Sequence, residues 1–407
     1  MPDQQTHVIV GAALAGAKTA EALREEGFDG RIVLVGAENE LPYERPPLSK
    51  EYLRGEQPRE KARVHDEGFY ESHDIELRLG TTATAVDPGA QEVELDGGER
   101  LGYDRLLLAT GAEPRRLDLP GADLDGVLLL RDLNDSDAIA ERLSRGSGKL
   151  VVIGAGWIGS EVAASARQKG LDAAVVEMAA TPLERVLGSE VGEIYAQVHR
   201  DHGVDLRLNA RLEGFEGDGR VERVKLAGGE TLDADFVVVG IGVVPRTALA
   251  ETAGLDMDNG IKVGADLRTS AENVFAAGDV ANAHHPFYDR HIRVEQWANA
   301  LNQPATAAKA MLGKDASYDR QPYFFSDQYD VGMEYTGFAE QWDQVVIRGD
   351  AEKREFIAFW LRDRRVLAGM NVNVWDVTDP IKALINSRAQ VDVDRLRDPD
   401  TPLDEVA

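Results

Sequence analysis

Two glycine-rich turns, each set between a β-branched run and an alanine-rich segment, and a strand-rich tail predict an α/β chain. The expected architecture is two Rossmann-like parallel-sheet domains of the kind that hold dinucleotides, plus a smaller α+β C-terminal domain. At 407 residues the chain is two to three times a typical domain of ~150 residues, so more than one core is required.

The first unit reads as strand, turn, helix, strand. His7 to Val10 is apolar and β-branched, Ala12 to Glu26 is alanine-rich, Gly27 can cap that helix, and Arg31 to Val35 supplies the next strand. The turn Gly11-Ala12-Ala13-Leu14-Ala15-Gly16 matches GxGxxG with alanine at the middle glycine. Its first glycine makes the tight turn, its last lets helix and strand pack closely, and the N–H groups at the helix start face a pyrophosphate. The methyl of Ala13 intrudes where the phosphate approaches. The acid expected about 20 residues further on, to accept the ribose hydroxyls, falls on Glu38, because Gly36 and Ala37 follow the strand directly.

The second unit carries every element. Leu150 to Ile153 is the strand, Gly154-Ala155-Gly156-Trp157-Ile158-Gly159 the turn, and a helix runs to about Lys169 with Gly170 as its cap. Ala173 to Val176 then leads into Glu177, whose carboxylate can accept both ribose hydroxyls of NAD and would repel the extra phosphate of NADP. NADH is therefore the expected donor. Leu106 to Arg115, with Ala109-Thr110-Gly111, and Phe236 to Arg246, with Gly240-Ile241-Gly242, are buried strands followed by crossovers between nucleotide domains. Asn273 to Ala281 reads as a strand ending in Gly278-Asp279 before a helix, where the aspartate can accept from a ribityl hydroxyl. Two fingerprints ask for two dinucleotides, and the economical pair is one held flavin and one exchanging nicotinamide.

Composition narrows the chemistry. The chain has no cysteine, which removes disulfides, thiolate nucleophiles and Cys-held iron–sulfur clusters, so redox chemistry must belong to a bound cofactor. Its net charge of −27 repels nucleic acid and anionic membranes. No apolar run approaches the ~18 residues of a membrane span. Residues 1–6 lack the basic and apolar regions of a signal peptide, so a cytoplasmic location is expected. His284, His285 and His291 have no metal-ligand spacing and are read as loop residues, leaving no metal site.

The segment Leu41-Pro42-Tyr43-Glu44-Arg45-Pro46-Pro47-Leu48-Ser49-Lys50, together with these motifs, resembles the FAD-dependent ferredoxin and rubredoxin reductases that serve Rieske dioxygenases and haem-thiolate monooxygenases, relatives of the glutathione-reductase fold. The resemblance spans essentially the whole chain. It implies a discontinuous FAD domain over 1–112 and 245–325, an NAD domain over 113–244, and a C-terminal domain over 326–407. It implies that Lys50 lies near the flavin ring and pairs with Glu161, and that Arg131, Asp279 and Trp297 lie against FAD, with Arg45, Pro46 and Ala83 among the cofactor contacts. Lys50, Glu161 and Trp297 are then the candidate residues at the reacting rings. Ala13 and Ala37 depart from the family pattern on the adenosine side.

The implied partner is a [2Fe–2S] ferredoxin or rubredoxin, with the chain a monomer or weak homodimer. Arg290 and Arg293, with His291, are the candidate cations for docking an acidic ferredoxin. The competing readings are an NADH oxidase using oxygen or quinone, and a nucleotide-sensing flavoprotein of the apoptosis-inducing-factor type. In the tail, 330–335, 344–347 and 356–361 read as strands, Asp363-Arg364 as a hairpin turn, and Pro380 as the start of a helix that Asp379 can cap.

Overall fold

The computed structural model describes residues 5–407, so most of the N-terminal segment read for a leader, residues 1–4, lies outside the described residues. Packing divides the chain into two compact units. The first comprises Met1–Arg45, Arg59–Glu113 and Val243–Arg320, and the second Pro46–Pro58, Pro114–Gly242 and Gln321–Ala407.

The first unit is centred on a five-stranded parallel sheet in the order Val274–Ala276, Arg105–Leu108, Thr6–Val10, Arg31–Gly36, Ile75–Leu79. Its inner strands read as near-continuous apolar runs because a parallel sheet is covered on both faces, while the edge strand Ile75–Leu79 alternates with Glu76 and Arg78. Val8, Ile9, Leu34, Leu107 and Phe275 are all fully buried. The helix Leu14–Glu25 ends at Glu26 and reverses through Gly27 at φ 87°, and it packs against the helix Trp297–Met311. Small side chains let these two helices approach closely. One expectation fails: Gly278-Asp279 opens no helix but a single 3-10 turn, Gly278–Val280, that runs straight into the strand Ala281–His285. That strand is taken up by pairing with Ile261–Val263 and Arg290–Ile292, contacts that local sequence does not announce.

The second unit repeats the parallel pattern, in the order Asp205–Arg207, Asp172–Val176, Lys149–Ile153, Phe236–Val239, Val127–Leu128. Its fingerprint helix runs Trp157–Gln168, with Gly170 at φ 89° past its end. Residues 46–58, inside the FAD domain of the sequence reading, pack here. Ser165 Oγ donates to the Ser49 carbonyl at 2.7 Å, and Ser136 Oγ to the Leu48 carbonyl at 2.8 Å.

Residues 321–407 share this unit while forming a sheet of their own. It is antiparallel, in the order Tyr323–Gln328, Val331–Gly337, Arg365–Val372, Glu355–Arg362, Gln344–Asp350. Its inner face covers the helix Glu184–Asp201: Trp360, Phe356 and Met370 cluster with Leu187, Val191 and Tyr195, and Trp360 Nε1–H donates to the Leu187 carbonyl at 3.0 Å. Asp363 and Arg364 make the hairpin turn at φ 50° and 60°, as read from the sequence. The expected cap does not form. The helix Thr378–Ser387 begins two residues before Pro380, so Asp379 lies inside its first turn and Val377 stands at the N-cap. Proline is tolerated there because a first-turn N–H has no intrahelical acceptor to lose.

Candidate functional site

In the first unit the site residues collect at the C-terminal ends of the parallel strands, where open α/β sheets bind ligands. Gly11 has φ 117°, and a Cβ on it would lie 2.1 Å from the Ala109 carbonyl oxygen; one on Gly16 would lie 2.0 Å from the Gly11 oxygen. Both positions demand glycine, and Ala109 is part of the reason. Ala13 is the N-cap of Leu14–Glu25 and provides no side-chain cap, so the N–H groups of Leu14 and Ala15 are left for an anion.

Gly278, at φ 79°, sits against the same helix start, since a Cβ on it would come within 3.2 Å of the Ala15 Cβ. Its N–H donates to Gln303 Oε1 at 2.8 Å, while Asp279 lies in the turn just beyond. Thr110 Oγ donates to the Arg246 carbonyl at 2.8 Å, and the Gly111 carbonyl accepts from the Arg246 N–H at 2.9 Å. Ala83 opens the strand Ala83–Asp87.

Glu38 is not a bare ribose acceptor. Its Oε2 accepts a short hydrogen bond from the Tyr43 hydroxyl and its Oε1 pairs with Arg45 Nη2 at 3.2 Å, while the Arg45 guanidinium lies 5.2 Å from the Tyr43 ring centre. The carboxylate is oriented by these donors. Trp297, first residue of its helix, donates its indole N–H to Glu44 Oε2 at 3.1 Å. Burial holds the Glu44 carboxyl above the usual range, and the indole bond opposes that rise. Glu44 was not among the residues expected at the site, and its only signal in the sequence is its place beside Arg45-Pro46-Pro47.

The second unit holds the stricter turn. A Cβ on Gly154, at φ 99°, would lie 2.5 Å from the Gly240 oxygen, and one on Gly159 would lie 2.1 Å from the Gly154 oxygen. Gly156 differs. It has φ −77°, and a Cβ there would meet no atom within 4 Å, so the space above the turn is open at the helix start. Glu177 Oε2 accepts from the Ala155 N–H at 2.7 Å and Oε1 from the Ala179 N–H at 2.9 Å, which fixes the carboxylate beside the turn.

Ile158 is 40% exposed, and the Trp157 ring stands edge-on to Phe324 and Tyr195. Gly242 has φ 98°, and its carbonyl accepts from the Arg115 N–H at 2.9 Å. Gly240 and Ile241 lie just past the strand Phe236–Val239, and Arg131 precedes the capping box of the helix Leu133–Leu143, its N–H donating to Asp135 at 2.8 Å.

Lys50 and Glu161 meet in this unit. Lys50 Nζ donates to Glu161 Oε2 at 2.8 Å and to the Pro46 carbonyl at 3.2 Å, and each side chain is only 6% exposed. Pro46 opens the 3-10 turn Pro46–Ser49 that delivers the lysine. The candidate docking cation Arg293 is spent elsewhere: it is 8% exposed, pairs with Glu295 at 2.7 Å and donates to the Asp279 carbonyl. Among the described residues no cluster has metal-ligand geometry, and no helix is long and apolar enough to cross a membrane.

Two glycine turns, each closing on the neighbouring strand and each opening a helix, define a dinucleotide oxidoreductase. Consistent with that geometry, residues 5–304 match the pyridine nucleotide-disulphide oxidoreductase family model and residues 323–407 the reductase C-terminal model. The chain belongs to the pyridine nucleotide-disulphide oxidoreductase family. With no cysteine, it carries no redox disulfide of its own. It is 38% identical to putidaredoxin reductase of Pseudomonas putida over 405 residues, 98% of this chain and 96% of that protein. It is 41% identical to the ferredoxin–NAD(+) reductase component of the anthranilate 1,2-dioxygenase system of Burkholderia cepacia over 399 residues, 96% and 97% of the two chains. It superposes with a TM-score of 0.94, at 38% identity, on the reductase in the covalent putidaredoxin reductase–putidaredoxin complex, covering 98% of this chain and 97% of that one.

Proposed function

We propose that this chain is an NADH-dependent FAD reductase that passes electrons to a [2Fe–2S] ferredoxin, or a rubredoxin, serving an oxygenase. The observation that carries the reading is the second turn: open space above Gly156 flanked by a fixed Glu177 carboxylate. The names of the relatives, reductases of putidaredoxin and of a dioxygenase system, support the acceptor. When bound, FAD would supply the redox chemistry, that is, hydride acceptance from NADH and electron release to the acceptor.

The chain's own work is binding and positioning. The N–H groups at the start of Leu14–Glu25 and of Trp157–Gln168 receive the two pyrophosphates, and Glu177 takes the ribose hydroxyls of NADH. Glu177 also discriminates, because a 2′-phosphate would bring negative charge against its carboxylate. Glu38, held by Tyr43 and Arg45, would accept from the hydroxyls of the FAD ribose. Gly278 and Asp279 serve the ribityl chain, with Ala83, Ala109, Thr110, Gly111 and Arg131 completing the flavin contacts. Trp297, anchored by Glu44, would stack its ring on the flavin. Lys50, its charge balanced by Glu161, would stand beside the reacting rings. By function, 1–112 with 245–325 would form the FAD domain and 113–244 the NAD domain, with 46–58 and 321–325 packing in the second unit.

The test compares acceptors. With NADH as donor, the purified holoenzyme should reduce a [2Fe–2S] ferredoxin far faster than it consumes oxygen or reduces a quinone. Oxygen consumption that outpaces ferredoxin reduction would reject the proposed acceptor.

A further inference from the structure

Glu161 has more donors than its lysine. Its Oε2 accepts from Ser49 Oγ at 2.5 Å as well as from Lys50, and its Oε1 accepts from Ser326 Oγ at 2.6 Å. Ser326 is 1% exposed and lies on Tyr323–Gln328, the first strand of the C-terminal sheet, so the carboxylate is clamped between two sequence segments far from its own helix. Gln328 Nε2 donates weakly to Ser326 Oγ at 3.4 Å, which leaves the hydroxyl hydrogen for Glu161. The charged and titratable groups facing this cluster are Lys50, Glu51 and Arg54 from the 46–58 segment, Asp327 beside Ser326, and Tyr195 from the helix Glu184–Asp201. Burial raises the Asp327 carboxyl, and Glu161 adds to that rise while Lys50 opposes it.

A buried ion pair is stable only where further hydrogen bonds satisfy the remaining lone pairs. Lys50 and Ser49 satisfy one carboxylate oxygen, and Ser326 is the only donor recorded for the other among the described residues. We propose that Ser326 is a positioning residue: by donating to Glu161 Oε1 it holds that carboxylate opposite Lys50, so the pair acts on the flavin as a neutral unit. This rests on the reading above that places Lys50 beside the flavin.

Without the hydroxyl, Oε1 is buried with no donor, and taking up a proton becomes its cheapest remedy as the pH falls. Protonation leaves the Lys50 charge unbalanced, and an unbalanced cation favours the reduced, negatively charged flavin. The consequence is electrochemical and does not depend on turnover.

The test measures the two-electron midpoint potential of the FAD-loaded protein from mildly alkaline to mildly acidic pH. Each variant is built on Asp327→Asn so that this neighbouring carboxyl does not titrate. Ser326→Ala should track its parent at alkaline pH and rise above it as the pH falls, by at least a tenfold change in the reduction equilibrium, about 30 mV for a two-electron couple. Ser326→Thr restores the hydroxyl and should restore the parent curve. Glu161→Gln should raise the potential at every pH. If Glu161→Gln leaves the potential unmoved, the placement of Lys50 beside the flavin is wrong. If Glu161→Gln raises it but Ser326→Ala follows the parent throughout, shifts by a pH-independent offset, or is not corrected by threonine, Ser326 has no positioning role.

Discussion

Gly156→Ala separates binding from folding more cleanly than any other change in the two turns. At φ −77° an alanine adopts the local backbone without strain, and its methyl meets no protein atom within 4 Å. Folding stability should therefore hold or gain, since a compatible Gly→Ala exchange stabilises by roughly 0.4–1 kcal/mol through the unfolded chain. The same methyl enters the space that receives the NADH pyrophosphate. Overpacking there costs about 1–3 kcal/mol, a weakening of NADH binding of roughly 5- to 150-fold. Gly154→Ala is the contrast: its Cβ would sit 2.5 Å from a carbonyl oxygen at φ 99°, so stability itself should fall. Thermal melting without nucleotide, paired with NADH titration at equilibrium, reads both quantities. A Gly156→Ala protein that binds NADH like the parent would refute the role given to this turn, and one that melts as poorly as Gly154→Ala would refute the local geometry.

Other residues give equally direct expectations. Glu177→Ala removes the carboxylate that would repel a 2′-phosphate, so the preference for NADH over NADPH in kcat/KM should drop by roughly tenfold or more, about 1.4 kcal/mol; an unchanged ratio would sink its assignment. Burial lowers the imidazole pKa of both His7 and His199 from 6.5 to about 4. The unfolded chain therefore binds more protons between those values, and stability present above about 6.5 is lost as the pH falls toward 4, on the order of 3 kcal/mol for each site. Urea unfolding at descending pH should follow that slope, and a stability flat across the window would contradict it. Arg348 donates to the carbonyls of Leu396, Asp398, Pro399 and Thr401, so Arg348→Ala should expose residues 396–401 to limited proteolysis while the rest of the chain stays resistant.

What the sequence made legible was what local sterics dictate. The turns at Gly11–Gly16 and Gly154–Gly159 were readable because a single Cβ at the first or last glycine strikes backbone within 2.5 Å. Asp363-Arg364 was readable because two residues at positive φ join two apolar runs. Long-range partners were not. Nothing near Pro46–Pro58 announces that hydroxyls on Ser136 and Ser165 fasten it to the second unit. The strand Ala281–His285 exists because Ile261–Val263 pairs with it, overriding a turn signal that reads equally well as a helix start. Arg293 looked like a docking cation only while Glu295 and the Asp279 carbonyl, its actual partners, were not in view. Glu38 was found at its approximate spacing, but its clamp by Tyr43 and Arg45 depends on the chain folding back through residues 43–45.

The most direct test of the central claim is an anaerobic titration of the purified protein with NADH, and separately with NADPH, followed in the visible flavin spectrum. The protein should be yellow, bleached rapidly by NADH and far more slowly by NADPH. A colourless protein, or a yellow one that NADH reduces sluggishly and no faster than NADPH does, would contradict the claim.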